Sequence, residues 1–312
     1  MTFSRLLIET IYSKKNPVLV GLDPRFDWIP EAIRRNADPK NNEQVAEVFK
    51  EFCREIIDIV APLVPAIKLQ AAFFEQYGVH GMSTLHWLIH YIRIKKGLAV
   101  IFDGKRNDIG STAEAYAAGI LGEHSSWGAD ALTVSPYLGD DSLEPFVKTA
   151  VERNAGIFVL VKTSNPGGKM IQDLVVDGKT IYRRIAEYVQ QLSLSTQARS
   201  ERYGNIGAVV GATWSEQLAE LRGVMPNTWF LVPGFGSQGG SAKDVAAAFD
   251  ENGLGAIINN SRGILFAYRQ EPFQSTFGET KWQQAVEAAT IQMIEQLRAE
   301  TPAGKLTNNN TK

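Results

Sequence analysis

Eight short apolar runs, separated by amphipathic stretches, dominate this chain of 312 residues. The runs have strand length, and several are apolar throughout, as parallel strands covered on both faces are. They span residues 17–23, 65–70, 98–103, 129–135, 156–164, 206–213, 228–234 and 255–261. Eight strand–helix units favour an α/β fold of the (β/α)₈ TIM-barrel type, although the pattern leaves a doubly wound open sheet as an alternative.

Helical patterns lie between and after these runs. They cover residues 43–60, 79–96, 111–124, 142–154, 179–201, 214–222, 241–251 and 281–300. The segment 2–13 predicts an extra N-terminal helix that closes the bottom of the barrel. The sequence therefore predicts a single barrel domain over residues 1–300, with a disordered tail at 301–312.

Composition excludes several classes of protein. The formal net charge of −2 gives no whole-chain attraction for nucleic acid or anionic membranes. No apolar stretch is long enough to span a bilayer, and Glu9 interrupts the only apolar run near the N-terminus, so we expect a soluble, cytoplasmic protein. The single cysteine, Cys53, excludes a disulfide framework and is expected to be a core thiol. The four histidines lack zinc-binding spacing, so no metal site is predicted.

A barrel of this type carries its functional groups at the C-terminal ends of the strands. The polar residues at these positions are Asp23, Lys68, Asp103, Lys105, Asp108, Thr163, Ser164, Gln238 and Arg262. Polar groups thus gather at one mouth of an apolar barrel, where we expect the site.

The stretch D-G-K-R-N-D, residues 103–108, joins the third strand to the next helix. On an extended strand Asp103 and Lys105 point to the same side, because they are two residues apart. Lys105 would then lie between carboxylates and stay protonated, while Asp103, beside Lys105 and Lys68, would stay ionised. Two alternatives remain open: an exposed, ion-paired turn, and a Lys68 that reaches out to water.

A candidate phosphate site follows the last two strands. The glycine-rich loop G-F-G-S-Q-G-G, residues 234–240, can offer backbone amides to an anion, and the helix that follows it favours negative charge. Arg262 follows the eighth strand and can bind phosphate through two parallel hydrogen bonds. Two roles remain open for the side chain of Ser164: it caps the segment that follows, or it hydrogen-bonds the amide edge of a ligand.

The stretch F-D-G-K-R-N-D-I-G-S-T-A-E-A-Y resembles the D-x-K-x-x-D-I-x-x-T signature of the orotidine 5′-phosphate decarboxylase family. The order of G-L-D-P, I-K-L-Q, S-N-P-G-G, P-G-F-G-S-Q-G-G and N-N-S-R-G also resembles that family, over residues 15–270. The chain length and the segment K-T-S-N-P-G-G are similar to those of the longer bacterial branch of this family. The resemblance implies a lyase that converts orotidine 5′-phosphate to uridine 5′-phosphate and CO₂, the last step of de novo UMP synthesis, without metal or organic cofactor.

The resemblance also implies a role for each matching residue. The charged array would be Lys68, Asp103, Lys105 and Asp108. Lys105 would protonate C6 of the pyrimidine as CO₂ leaves, with Asp103 beside the departing carboxylate. A homodimer is implied, in which Asp108, Ile109 and Thr112 complete the neighbouring subunit's site. The residues implied to contact substrate are Asp23, Ile109, Thr112, Ser164, Gln238, Gly239, Arg262 and Gly263.

Two rival functions remain. A Mg²⁺-dependent sugar-phosphate decarboxylase or aldolase on the same barrel would carry a glutamate near the end of strand two. Lys68 stands there instead, and a second cation repels Mg²⁺. A non-catalytic nucleotide-binding barrel is the other rival, because misplacement of reactive groups by about 1 Å can cost on the order of 100-fold in rate. The long segment 165–180 is a candidate lid.

Overall fold

A closed barrel of eight parallel strands forms the centre of the molecule, in a computed structural model that describes residues 1–236 and 239–307. The barrel strands are β1 Val18–Leu22, β2 Ala66–Gln70, β3 Ala99–Arg106, β4 Ala131–Val134, β5 Gly156–Lys162, β8 Ile206–Val210, β9 Phe230–Val232 and β10 Ala256–Asn260. Two further short strands, β6 Val175–Val176 and β7 Lys179–Thr180, lie outside the barrel. Around the barrel the order is β1-β10-β9-β8-β5-β4-β3-β2. The predicted (β/α)₈ fold is confirmed, and the open-sheet alternative is wrong.

The strands β6 and β7 form an antiparallel hairpin outside the barrel. Each is only two residues long, which is too short for an alternating pattern to be visible in the sequence. The hairpin lies within the segment 165–180, so this part of the chain has a structure that the apolar rhythm did not predict.

Helices follow the strands and cover the outside of the barrel. They are α1 Phe3–Lys14, α2 Glu31–Arg34, α3 Asn42–Val60, α4 Ala72–Glu75, α5 Gly78–His90, α6 Gly110–Ile120, α7 Glu144–Glu152, α8 Lys169–Gln172, α9 Ile181–Ser195, α10 Ser215–Val224, α11 Ala242–Val245, α12 Arg262–Leu265, α13 Phe273–Thr276 and α14 Trp282–Glu300. The prediction 79–96 becomes α5 followed by a π-helical turn, Tyr91–Lys96, and the prediction 241–251 shrinks to α11 and a 3₁₀ turn, Ala246–Ala248.

The long helix α3 shows why these segments fold as they do. The side chain of Asn41 caps its N-terminus by accepting hydrogen bonds from the amides of Glu43 and Gln44. Its apolar residues recur at helical spacing and are buried against the barrel. Cys53 is fully buried on this face, and burial raises the pKa of its thiol well above the usual range. A thiol of this kind is a core group and not a nucleophile.

The helix α1 closes the N-terminal end of the barrel, as predicted. Phe3 packs edge-on against Phe158 of β5, with ring centroids 5.8 Å apart. The hydroxyl of Ser4 donates to the carbonyl of Tyr203 at 2.9 Å and accepts from the indole N–H of Trp229 at 2.9 Å. One small side chain therefore satisfies two buried polar groups at the bottom of the barrel.

The end of the chain differs from the sequence expectation. Residues Pro302–Thr307 form a 3₁₀ helix with Ala303 and Leu306 buried, where a disordered tail was predicted from 301. The remainder of the predicted tail, 308–312, lies outside the described residues. Within the described ranges, no helix has both the length and the apolar content needed to cross a membrane.

We predict that Ser4→Ala lowers the free energy of unfolding by about 1–3 kcal/mol, because it leaves the buried indole N–H of Trp229 without an acceptor. Urea denaturation measures the change. Ser195→Ala is the matched control, since that residue is exposed and its hydroxyl donates to the carbonyl of Leu192, and it should change stability by less than about 0.5 kcal/mol. Equal effects for the two variants would contradict the role given to Ser4.

Candidate active site

A cavity of about 410 Å³ opens at the C-terminal ends of the barrel strands. Six predicted site residues line it: Asp23, Lys68, Asp103, Lys105, Ser164 and Arg262. Its floor is apolar, formed by Leu160, Val209 and Leu231. A larger groove of about 630 Å³ lies near the N-terminal end of the barrel, and none of the predicted site residues lines it. The cavity at the mouth is therefore the place where the predicted residues meet.

Asp103 is the centre of a hydrogen-bond network in this cavity. Its Oδ2 accepts from Lys68 Nζ at 2.7 Å and from Gln70 Nε2 at 3.1 Å. Its Oδ1 accepts from Lys105 Nζ at 2.7 Å and from the hydroxyl of Thr133 at 2.8 Å. Both oxygens of one carboxylate are thus held by two ammonium groups and two neutral donors, which fixes the positions of both lysines.

Electrostatics keep this network charged. Burial alone would raise the pKa of Asp103, but the positive charges of Lys68 and Lys105 and their hydrogen bonds outweigh it and hold that pKa well below its usual range. Burial likewise acts to lower the pKa of Lys68, and the charges of Asp103 and Asp23 reverse this and raise it. Lys68 Nζ lies 3.8 Å from Asp23 Oδ1. Lys68 is thus buried and paired, so the alternative in which it reaches water is wrong.

The geometry at Lys105 corrects one step of the sequence argument. Asp103 and Lys105 do meet, but not because the strand is extended between them. The pairing of β3 with β4 shifts register between Phe102 and Arg106, and Lys105 has a φ of 46°, in the left-handed region. The amide of Lys105 is held by the hydroxyl of Thr133 at 2.9 Å. A bulge, which re-aims side chains next to many active sites, brings the two charges together.

Two of the residues that hold Asp103 were missed from the sequence. Gln70 ends strand β2 directly opposite Asp103 in the β2–β3 register, and Thr133 lies on the adjacent strand β4. Each occupies a position at the mouth where a polar side chain interrupts an apolar run. That interruption was a usable signal, although an ordinary strand threonine gives the same pattern.

The predicted residues Asp108, Ile109 and Thr112 do not line the cavity of their own chain. Asp108 Oδ1 accepts from the amide of Ile109 at 2.9 Å. Ile109 is 57% exposed, and Thr112 is exposed near the start of α6. Within the described residues, the only carboxylate paired with Lys105 is that of Asp103. Ile109 and Thr112 thus present an exposed surface beside the mouth, next to the partly exposed Asp108.

The predicted phosphate site is only partly in place. The guanidinium of Arg262 lines the cavity and has no ion-pair partner among the described residues. The amide of Gly239 donates to the carbonyl of Gly236 at 2.8 Å, and the amide of Gly263 donates to Asn260 Oδ1 at 3.1 Å. Gln238 lies outside the described residues.

The helix after the glycine-rich loop was expected to favour an anion, but its N-terminus is already capped by side chains of this chain. Asp244 and Ser241 form a capping box at the start of α11, in which the carboxylate of Asp244 accepts from the amide of Ser241 at 2.8 Å. The carboxylate of Asp244 therefore occupies the helix N-terminus at which the sequence analysis expected a phosphate. Arg262 remains the main cation of this half of the cavity.

The segment 165–180 is anchored beside the cavity wall. Asp173 pairs with Lys162, which is buried at the end of β5 between the rings of Tyr182 and Trp214. Gln172 exchanges two hydrogen bonds with Thr163, at 3.1 and 2.8 Å. If this segment acts as a lid, which stays a prediction, its opening has to break a pair that includes a buried ammonium.

Comparison with known proteins adds an independent line of evidence. The model of the orotidine 5′-phosphate decarboxylase / HUMPS family matches residues 17–272. An orotidine 5′-phosphate decarboxylase of Rhodopirellula baltica is 56% identical over 302 residues, covering 96% of this chain and 99% of that protein. One from Caldicellulosiruptor bescii is 43% identical over 279 residues, covering 86% and 91%. The solved structure of Leishmania donovani OMP decarboxylase has a TM-score of 0.74 and 33% identity, covering 96% and 99%.

We predict that Asp103→Asn lowers the free energy of unfolding by about 3–5 kcal/mol near pH 7, because Lys68 loses its anionic partner. The folded-state pKa of Asp103 is depressed, so its stabilising effect is present above the unfolded pKa of about 3.9 and is lost as the pH falls. Below that pH the difference between wild type and variant should shrink by about 1.4 kcal/mol per pH unit.

Denaturant titrations between pH 3 and pH 7 measure this difference. Asp177→Asn is the control, because the side chain of Asp177 is 86% exposed in its pair with Arg184. Its effect should stay near zero at every pH. A constant deficit for Asp103→Asn at all pH values would show that its carboxylate titrates normally in the folded protein.

Proposed function

The chain belongs to the orotidine 5′-phosphate decarboxylase family, and on that premise we propose how the cavity at its mouth converts orotidine 5′-phosphate to uridine 5′-phosphate and CO₂. The observation that carries the proposal is the network Lys68–Asp103–Lys105 inside that cavity. We also propose that this biosynthetic reaction takes place in the cytoplasm.

The chemical problem is the charge left on carbon. When the bond between C6 and the carboxylate breaks, its electron pair stays on C6, where no adjacent carbonyl can delocalise it. The ammonium of Lys105, fixed by Asp103 at 2.7 Å, supplies a preorganised positive charge beside this carbanion. Lys105 then gives a proton to C6, forming the C–H bond of the product. The neutral amine takes up a proton from water before the next turnover.

Asp103 has a different task, which follows from its low pKa. It stays ionised because two lysines and two neutral donors bind its oxygens. A permanent negative charge beside the substrate carboxylate disfavours the bound substrate relative to the transition state, in which the carboxylate becomes neutral CO₂ and its charge moves to C6. Asp103 also fixes the direction of the Lys105 ammonium, which is the larger part of its role in our proposal.

The remaining cavity residues bind the parts of the substrate that do not react. In our proposal, Asp23 and Lys68 contact the ribose hydroxyls, and Ser164 reads the amide edge of the pyrimidine. Arg262 holds the phosphate together with Gln238. Gly239 and Gly263 would add backbone amides only by giving up their present hydrogen bonds. Phosphate binding, remote from C6, supplies energy that orders the site.

The Mg²⁺-dependent rival fits the cavity poorly. The ammonium of Lys68 is buried between the carboxylates of Asp23 and Asp103, where a divalent cation would otherwise find its ligands. Among the described residues, no three acidic, histidine or cysteine side chains are grouped to hold a metal ion. The expectation of a reaction without cofactor stays a prediction, which the first experiment below tests.

We predict that the protein consumes orotidine 5′-phosphate in excess EDTA. The loss of substrate absorbance measures this reaction.

Lys105→Ala should lower kcat by at least about 1,000-fold, because it removes both the fixed charge and the proton donor. Lys50→Ala is the control, since that lysine pairs with Glu47 on α3 and does not line the mouth cavity, and its activity should equal the wild type's. Absence of turnover by the wild type, with or without Mg²⁺, would refute the proposed function.

We predict that Arg262→Ala lowers kcat/KM for orotidine 5′-phosphate by about 100-fold or more, because charge-assisted hydrogen bonds to the phosphate are lost. Steady-state kinetics measure this effect. The matched control is Arg202→Ala, since Arg202 pairs with Glu251 away from the mouth cavity. An unchanged kcat/KM in Arg262→Ala would mean that the phosphate binds elsewhere.

We infer a homodimer in which Asp108, Ile109 and Thr112 complete the neighbouring subunit's site. Two features support this proposal. The three residues lie outside the cavity of their own chain, and Ile109 exposes its apolar side chain to solvent. A partly exposed acidic residue beside an exposed isoleucine at the mouth suits a surface that a second copy covers.

We predict that Lys105→Ala and Asp108→Ala, each nearly inactive alone, recover activity when their subunits are mixed and allowed to exchange. In a hybrid dimer one site then has an intact Lys105 from its own chain and an intact Asp108 from the partner. Random exchange should give about a quarter of the wild-type activity, because half of the dimers are hybrids with one complete site each. If Asp108 serves its own chain, no site is complete and mixing recovers nothing.

A further inference from the structure

Asn259 has an unsatisfied polar atom in the cavity, and no role has been given to it above. It lies on β10, is 8% exposed and lines the mouth cavity. Its Nδ2 donates to the hydroxyl of Ser261 at 3.4 Å. Its Oδ1 is buried and has no hydrogen-bond donor among the described residues. A buried carbonyl oxygen without a donor is costly, so this atom is a candidate for a ligand contact.

The neighbouring strand leaves room for this amide. A Cβ atom on Gly21 of β1 would lie 2.8 Å from Asn259 Oδ1 and 2.0 Å from the hydroxyl of Ser261. The side chains of Asn259 and Ser261 thus occupy the space that a side chain at position 21 would fill. Gly21 precedes Asp23 by two residues, so Asn259 Oδ1 lies about one layer below Asp23 on the same side of the barrel.

Asp23 presents a second unsatisfied acceptor on this side. Its Oδ1 is buried, lies 3.8 Å from Lys68 Nζ, and has no hydrogen bond within the described chain. The β1–β10 side of the cavity thus offers two oxygen acceptors, from Asp23 and Asn259. A ligand that fits here should bring hydrogen-bond donors, and a sugar with two hydroxyl groups does so.

The arrangement of the barrel indicates which part of the nucleotide reaches these acceptors. β5, which leads into Ser164, lies four strands from β1 in either direction, on the opposite side of the barrel. Arg262, the proposed phosphate ligand, lies three residues beyond Asn259. A nucleotide with its base towards β5 and its phosphate at Arg262 places the ribose along β1 and β10.

We propose that Asn259 Oδ1 accepts a hydrogen bond from a ribose hydroxyl of the nucleotide and reads the sugar together with Asp23. Ser261 is a positioning residue, since its hydroxyl accepts from Nδ2 and turns the carbonyl oxygen towards the ligand. This assignment rests on the proposed function and adds a binding residue to it. It also gives the cavity a means of preferring ribonucleotides to deoxyribonucleotides.

The test is competitive inhibition of decarboxylation by uridine 5′-phosphate and by its 2′-deoxy and 3′-deoxy forms. Asn259→Leu should raise the inhibition constant of uridine 5′-phosphate about 5- to 10-fold. In the same variant, the deoxy form that lacks the hydroxyl read by Asn259 should inhibit about as well as uridine 5′-phosphate. The penalty for the other deoxy form should equal that of the wild type.

Asn259→Ser is the second variant, because it keeps a small polar side chain that does not reach the ligand, and it should lose the same discrimination. The control is Asn205→Ser, whose buried carbonyl accepts from the amide of Ser4 at the barrel bottom. It should lower the melting temperature without changing any ratio of inhibition constants.

Two outcomes would overturn the proposal for Asn259. Inhibition constants for all three nucleotides that equal the wild type's in both variants would mean that its carbonyl meets no sugar hydroxyl. An equal loss of affinity for all three nucleotides would reduce Asn259 to a support of the cavity's shape. In either case wild-type turnover and inhibition by uridine 5′-phosphate would leave the proposed function intact, whereas their absence would refute that function first.

Discussion

One buried carboxylate organises the functional end of this barrel. Asp103 binds Lys68 with one oxygen and Lys105 with the other, both at 2.7 Å. An uncompensated charge at this depth would be strongly unfavourable, so each member of the network depends on the others. Gln70 and Thr133 complete the hydrogen bonds and restrict the carboxylate to one orientation. The site is therefore rigid where chemistry requires a fixed ammonium, and this rigidity comes from β2, β3 and β4 together.

The fold was predictable because eight apolar runs of strand length have few other solutions. The location of the site followed from the rule that barrel enzymes use the C-terminal ends of their strands. Lys68 left two interpretations open, because a lysine inside an apolar run either pairs with a nearby anion or reaches out to water, and the structure shows the pair with Asp103. These predictions rest on burial and charge, which depend mainly on residue type and position along the chain.

Other parts of the site were beyond a reading of the sequence. The bulge at Lys105 depends on how β3 pairs with β4, which no local pattern in β3 reveals. The hairpin of β6 and β7 is too short for periodicity, and the internal hydrogen bonds of Gly239 and Gly263 depend on loop geometry. The sequence analysis gave Asn259 no role, because only the barrel shows that its carbonyl oxygen faces Gly21 and has no donor among the described residues. The features that the sequence did not reveal thus depend on contacts between segments that are paired only in the folded structure.

The closed bottom of the barrel has a consequence for the order of events in the cycle. Phe3, Ser4 and Trp229 fill that end, and the interior above them is packed. Within the described chain, substrate and product therefore enter and leave the cavity through the mouth alone. The nucleotide product has to leave by the route through which the next substrate enters, so substrate and product exclude each other physically. With a single entrance of this kind, each new turnover can begin only after the product of the previous one has been released.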